Sequence, residues 1–316
     1  MSTTDSFIST VTGRLDPAEL DYVDAHDHLV AHAPAEVVSG DADLLIDDAD
    51  HVLADLHSLP AKERACIVEM TTVDYGRDAA ALKRLSSLSG VKIVSATGFN
   101  VGRYSRPYCE GRDPDELAET QIRDVLKGVA GIGVRCGVVK FATGADAIAP
   151  WEEVAARAAA RTHRATGCPI FTHTQAGRLA PEQLDLLARE DVPPSAVVLG
   201  HMDRNPDLAL HQRLARAGAY LSYDQVPKPK YATEQSAIEL ILALARDDLH
   251  THVVIGGDFA RRSLFTGYGG SPGLSYIPTR FAAHLHDAAQ RAGLDGDEIV
   301  SAVLQRNPRR AVTFRR

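Results

Sequence analysis

Eight short runs rich in β-branched and apolar residues recur along the 316-residue chain, each followed by a longer segment with apolar residues three and four apart. Such βα alternation places the strands parallel in one sheet. Eight units in a chain of this length fit a closed α/β barrel, the (β/α)8 TIM architecture, better than an open sheet. The expected strands are Tyr22 to His28, Ala65 to Thr71, Val91 to Thr97, Gly137 to Ala142, Pro169 to His173, Ala196 to His201, Ala219 to Tyr223 and His252 to Asp258. Between and after them the periodicity predicts helices over Leu44 to Leu56, Ala79 to Leu88, Pro114 to Val129, Pro150 to Thr166, Pro181 to Arg189, Asp207 to Arg216, Glu234 to Ala245 and Thr279 to Ala292. Proline opens three of these, where the first turn has no intrahelical acceptor for an N–H, and Ala217-Gly218 and Ala292-Gly293 close others. No linker or shift in composition divides the chain, so one domain over 1–316 is expected.

In a barrel the reactive side chains come from the C-terminal ends of the strands. The first strand ends in His26-Asp27-His28, and two imidazoles at i and i+2 project from one face as a ready pair of metal ligands. Asp27 should point the other way. Later strands bring Lys140 in Val138-Val139-Lys140-Phe141-Ala142, His173 in Phe171-Thr172-His173-Thr174, His201 in Leu199-Gly200-His201-Met202-Asp203, and Asp258 in Ile255-Gly256-Gly257-Asp258. Each alone has a plain structural explanation. Six at one relative position make coincidence a poor account.

With these blocks, and with Thr172-His173-Thr174-Gln175-Ala176-Gly177, Gly200-His201-Met202-Asp203-Arg204-Asn205-Pro206-Asp207 and Asn307-Pro308-Arg309-Arg310-Ala311, the sequence resembles the phosphotriesterase-related family of the amidohydrolase superfamily over nearly its whole length. Many relatives have His-Glu-His where this chain has His26-Asp27-His28. The resemblance implies a metal-dependent hydrolase with two divalent ions: His26, His28 and Asp258 on the more buried one, His173 and His201 on the more exposed one, and Lys140 bridging both as its carbamate. Imidazole and carboxylate ligands suit zinc first, with manganese, cobalt and iron also compatible. The expected nucleophile is a hydroxide bridging the two ions, whose parent water is acidified towards about pH 7. Asp258 is expected to take its proton and return it to the leaving oxygen.

Substrate choice in a barrel resides in its βα loops. After the seventh strand comes Asp224-Gln225-Val226-Pro227-Lys228-Pro229-Lys230-Tyr231, and after the eighth Phe259-Ala260-Arg261-Arg262-Ser263. These cations in a chain of net charge −8 suit a small anionic substrate, phosphate above all, unless they merely pair with Asp224 and Glu234. The Lys-Tyr pair and the Ala-Arg-Arg-Ser run resemble the family branch that hydrolyses phosphorylated sugar lactones. That resemblance implies that Lys230, Tyr231, Arg261 and Arg262 hold the phosphate while the metal centre opens the ring. A phosphotriesterase, acyl-homoserine lactonase or deacylase on the same centre is the alternative, and a non-catalytic binding protein a more distant one. Arg204 is placed either to touch substrate or to buttress Asp203. Tyr104, Arg106 and Tyr108, after the third strand, either line the pocket or pack on the surface.

The remaining features exclude other classes. The acidic balance and the absence of a basic tract argue against nucleic acid. Cys66, Cys109, Cys136 and Cys168 lie far apart, as expected for reduced thiols in a cytoplasmic protein. Neither a signal peptide nor a membrane span is expected from the chain. Gly131-Ile132-Gly133 leads into a strand, the wrong context for a dinucleotide fingerprint, and no P-loop or Gly-x-Ser-x-Gly elbow occurs. The other nine histidines, among them His211, His250 and His284, fall away from strand ends and read as structural or surface residues. A homodimer is the family-level expectation.

Overall fold

The computed structural model describes residues 6–231 and 233–314, without the side chains of residues 36 and 37. The first five residues of the stretch read for a signal peptide lie outside it. Eight parallel strands form one sheet in chain order: β1 (Tyr22–Asp27), β2 (Ala65–Glu69), β3 (Lys92–Gly98), β4 (Val138–Thr143), β5 (Ile170–Thr174), β6 (Val197–Gly200), β7 (Tyr220–Tyr223) and β8 (Val253–Ile255). Beyond β8 the chain returns to β1, where the N–H groups of Gly257 and Asp258 both donate to the His26 carbonyl and complete the ring. Gly256 permits that approach, since a Cβ there would sit 2.7 Å from the His26 nitrogen.

The outer helices are α1 (Ala49–His57), α2 (Ala79–Ser89), α3 (Pro114–Leu126), α4 (Pro150–Thr166), α5 (Ala180–Ala188), α6 (Leu208–Arg216), α7 (Glu234–Ala245) and α8 (Ala282–Arg291). The predicted Leu44 start of α1 is wrong. Asp48 caps the helix by accepting from the N–H groups of Asp50 and His51, and the segment before it is a loop carrying one 3-10 turn, Ala42–Leu44. Likewise the predicted Thr279 start of α8 falls in a π-helical turn, Ile277–Phe281. The structure adds an N-terminal hairpin, Ile8–Thr10 with Gly13–Leu15, and the closing helices Gly296–Ser301 and Asn307–Val312 to the elements the periodicity predicts.

Strand parity sorts the core into two parts. Val138 and Phe171 pack inside the barrel with Val68, Val94 and Val198, whereas Val139, Phe141 and Ile170 face the helices. Two residues on from Val138 and Phe171, the same face presents Lys140 and His173. In β1 the pairing with β2 shifts between Asp24 and Asp27. That shift changes parity, so that Val23 and Ala25 pack in the interior below while His26 and His28 continue the inward face above. At the opposite end, Ile8 of the hairpin and Val312 of the last helix fill the interior. The barrel thus opens at one end only.

Candidate metal centre

At the open end, His26, His28, Lys140, His173, His201 and Asp258 converge on one cavity of about 250 Å³. All but His173 and Asp258 are almost wholly buried. Asp258 Oδ1 lies 3.6 Å from His26 Nε2 and 3.5 Å from His28 Nε2. His201 Nε2 faces His173 Nδ1 at 2.8 Å. His201 and Asp258 are held at positive φ, 60° and 44°, a region that non-glycine residues adopt only under tertiary constraint. The constraint is visible: the His201 N–H donates to Asp224 Oδ2 at 3.1 Å, and the Asp258 N–H donates to the His26 carbonyl at 2.7 Å.

Four of the six donors are braced from behind. Asp224, fully buried, meets His26 Nδ1 at 3.1 Å with one oxygen and His201 Nδ1 at 2.6 Å with the other. His28 Nδ1 meets Thr71 Oγ1 at 2.9 Å. Gln225 Nε2 donates to Asp258 Oδ2 and to Asp224 Oδ1, both at 2.9 Å, and Lys228 Nζ donates to Asp258 Oδ2 at 2.5 Å. Asp27, opposite the ligands as expected, accepts from the Phe259 N–H at 2.6 Å. Fixing one ring nitrogen of a histidine leaves the other defined as the coordinating atom.

Burial dominates the protonation states. It pulls His28 down to about 3 and His173 well below the ordinary imidazole value. His201 is also opposed by burial, but the charge and hydrogen bond of Asp224 outweigh it and leave its pKa raised. Burial alone would raise Asp258; the Lys228 ammonium, the His28 hydrogen bond and the neighbouring imidazoles instead hold it well below the usual carboxylate range. Lys140 is lowered by burial, only partly opposed by Asp258 and Asp74. Its Nζ reaches one neutral acceptor, the Met70 carbonyl, at 3.2 Å.

These residues fit a divalent metal ion. The donor atoms of His26, His28 and Asp258 lie within 4.8 Å of one another, and His26 Nε2 is buried with no hydrogen-bond partner. A buried orphan nitrogen between a second imidazole and a carboxylate is what a metal ligand presents before coordination.

The loop residues divide. Arg204, Tyr231 and Arg261 line the cavity with Tyr75 and Tyr104, whereas Lys230 and Arg262 do not. Lys230 is exposed, its Nζ 5.5 Å from the Tyr231 ring centroid. Arg262 is tied to Asp47 and the Leu45 carbonyl. Arg204 stacks its guanidinium 4.6 Å over Tyr231 and, among the described residues, has no carboxylate partner. Asp203 is braced instead by the Gln225 N–H. Arg106 pairs with Glu110 and Tyr108 is exposed, so neither faces the cavity.

Asp224 and Glu234 do not neutralise the loop cations. Asp224 serves the histidines, and Glu234 accepts from Tyr276 and His284. Asp224, Gln225 and Lys228 escaped the sequence reading as parts of the site. The strand-end position that marks the other six also marks Asp224, directly after β7; the side-chain directions of Gln225 and Lys228 in an irregular loop had no such signal.

The phosphotriesterase family model matches residues 6–312. The phosphotriesterase homology protein of Escherichia coli is 28% identical over 91% of this chain and 96% of its own. The phospho-furanose lactonase of Mycoplasmopsis synoviae is 26% identical over 98% of this chain and 92% of its own. A crystal structure of a lactonase from Listeria monocytogenes superposes with a TM-score of 0.94 at 35% identity, covering 98% of this chain and all of that one. A match over this much of the barrel, with the polar convergence at its open end, establishes that the chain belongs to the phosphotriesterase family.

Proposed function

We propose that this protein is a metal-dependent hydrolase that opens a phosphorylated sugar lactone. The observation that carries the reading is that the six donors share a cavity with Arg204, an arginine that has no counter-ion among the described residues. Relatives named phospho-furanose lactonase and lactonase support the substrate class.

His26, His28 and Asp258 would hold one ion and His173 and His201 the other, with zinc the leading candidate and manganese, cobalt and iron the others. When bound, the pair supplies Lewis acidity and lowers the pKa of a shared water towards about 7. Lys140 would bridge as a carbamate. Burial disfavours the Lys140 ammonium and lowers its pKa, which raises the share of the neutral amine, the form that reacts with carbon dioxide. Asp258 Oδ1 faces the histidines while Oδ2 lies against Lys228 and Gln225, which fixes the carboxylate for proton transfer from water to the ring oxygen.

Arg204, Tyr231 and Arg261 would receive the phosphate. Lys230 would add long-range attraction beside Tyr231, and Arg262 would hold the loop that carries Arg261. The same reading takes 1–316 as one catalytic domain, a cytoplasmic homodimer without nucleic-acid or membrane partners. No helix among the described residues is long and apolar enough to cross a membrane.

The test is turnover by metal-loaded protein of phosphorylated and unphosphorylated sugar lactones, with an aryl organophosphate as control. A strong preference for the phosphorylated lactone is expected. Equal rates with and without phosphate would sink the anion pocket, and faster organophosphate hydrolysis would sink the lactonase reading.

A further inference from the structure

The loops after β1 and β8 are joined along one side of the cavity mouth. Asp43 accepts from the Ser263 N–H at 2.8 Å and from Ser263 Oγ at 2.9 Å, Arg262 pairs with Asp47, and Tyr268 OH bonds the Asp48 backbone. Within this seam, Arg261 Nη1 donates to two carboxylates, Asp41 at 2.9 Å and Asp43 at 3.2 Å. Among the described residues the rest of its guanidinium has no hydrogen-bond partner, and the residue lines the cavity. Asp43 is itself fixed by Ser263, through both the backbone N–H and the hydroxyl, so it holds Arg261 from an anchored position. Asp41 adds no second anchor of that kind: its carboxylate otherwise accepts only from the Asp43 N–H, as the cap of the Ala42–Leu44 turn. One guanidinium therefore faces two carboxylates, and the surplus negative charge belongs to Asp41.

We propose that Asp41 is a specificity-determining residue, a surplus counter-ion that weakens the hold of the cavity mouth on anions and so favours release of product. This rests on the lactone-opening reading. Water adds to the lactone carbonyl, the carbonyl carbon to ring-oxygen bond breaks, the ring oxygen gains a proton, and the new carboxyl group loses one to solvent. The product thus carries one more negative charge than the lactone, phosphorylated or not. A mouth of unopposed cations would bind that product more tightly than substrate. Asp41 offsets this without disturbing Arg261.

The effect is that of a half-exposed pair, since the side chains of Arg261 and Asp41 are 37% and 46% exposed. It therefore amounts to roughly two- to fivefold in affinity and is weakened by salt. The experiment uses the metal-loaded enzyme and its Asp41→Asn, Asp41→Ser and Asp41→Glu variants. Asparagine and serine both retain N-cap capacity without charge, so either can stand for the other if one fails to fold. The inhibition constant of the ring-opened phosphorylated sugar acid is measured kinetically and by calorimetry, beside KM for an unphosphorylated lactone. Asp41→Asn and Asp41→Ser should lower the product inhibition constant roughly two- to fivefold at low salt. KM for the neutral lactone should stay unchanged, Asp41→Glu should behave as wild type, and high salt should erase the difference. An unchanged or raised inhibition constant in both neutral variants overturns the proposal. A wild-type enzyme that opens no lactone overturns instead the function on which it rests.

Discussion

At the floor of the cavity each ligand candidate is set on or just past a strand and most are braced by a second buried polar group; around the mouth the cations stand on loops, and two of them are already matched by acids. His26 and His201 share Asp224, His28 leans on Thr71, and Asp258 is gripped by Lys228 and Gln225. At the mouth, Arg261 is matched by Asp41 and Asp43 and Arg262 by Asp47, while Arg204 is left over. The difference separates two tasks. On the proposed function the floor holds a fixed geometry, whereas the mouth would bind an anion and then let a more highly charged one go.

The floor should therefore respond to small chemical changes with large losses. Asp258→Asn preserves size but removes the proton acceptor, and kcat for lactone opening should fall by about 10²- to 10⁴-fold. Metal content measured alongside separates lost chemistry from lost metal. Near-normal turnover would show that the floor has no need of this carboxylate.

The wall behind the floor should betray itself in stability. His211, on α6, meets Tyr223 OH of β7 at 2.6 Å, one residue before Asp224, and burial lowers its pKa to about 4 from 6.5. A histidine with a depressed folded value stabilises fully above pH 6.5. That contribution is lost as pH falls towards about 4, because the unfolded chain takes up the proton first. The shift corresponds to about 3 kcal/mol. Denaturant unfolding from pH 7 to pH 4 should show a steeper loss in wild type than in His211→Gln, which can still accept from Tyr223. Parallel curves would remove His211 from the wall's support.

Asp224→Asn probes the bracing of the floor itself. It keeps the shape but can accept from only one imidazole at a time, so metal affinity should drop about 10- to 100-fold, read by competition with a chelator. An unchanged affinity would mean that the histidines are oriented by the barrel alone.

The same contrast explains what was legible in the sequence. A strand carries its side chains with period two, so strand ends announce Lys140 and His173 from the sequence, whereas Asp258 stands three residues past the end of β8 and is turned inward by a positive φ. The His26 and His28 pair was legible for the same reason, although the register shift at Asp24 to Asp27 that turns both inward was not. Loops have no such period. Lys230 and Lys228 are two residues apart in a proline-rich segment, yet Lys228 turns inward to Asp258 and Lys230 outward to solvent. Likewise the aspartates that match Arg261 and Arg262 lie more than 200 residues earlier in the chain, and only barrel closure brings them together. The loop before α1 was hidden within a helical pattern that Asp48 cuts short.

The smallest expected effect tests the mouth against itself. Arg204 and Arg261 both line the cavity, and a count of cations would weigh them equally. Their surroundings do not. Removing Arg204 deletes a charge that no internal acid offsets, and a lost charge-assisted contact to phosphate should raise KM for the phosphorylated lactone on the order of tenfold. Removing Arg261 also leaves Asp41 and Asp43 without their cation, but that pair is partly exposed and screened, so its loss should change KM by roughly fivefold or less. Both variants should leave KM for the unphosphorylated lactone near wild type, because neither arginine meets the reacting carbonyl in this reading. If Arg261→Ala proves the more damaging, the pairing with Asp41 and Asp43 gives way on binding rather than persisting, and the phosphate lies on the β8 side of the cavity. If the order is as expected, the anion is held chiefly by Arg204, on the side of β6, and Arg261 adds a smaller share from across the mouth because Asp41 and Asp43 already offset its charge.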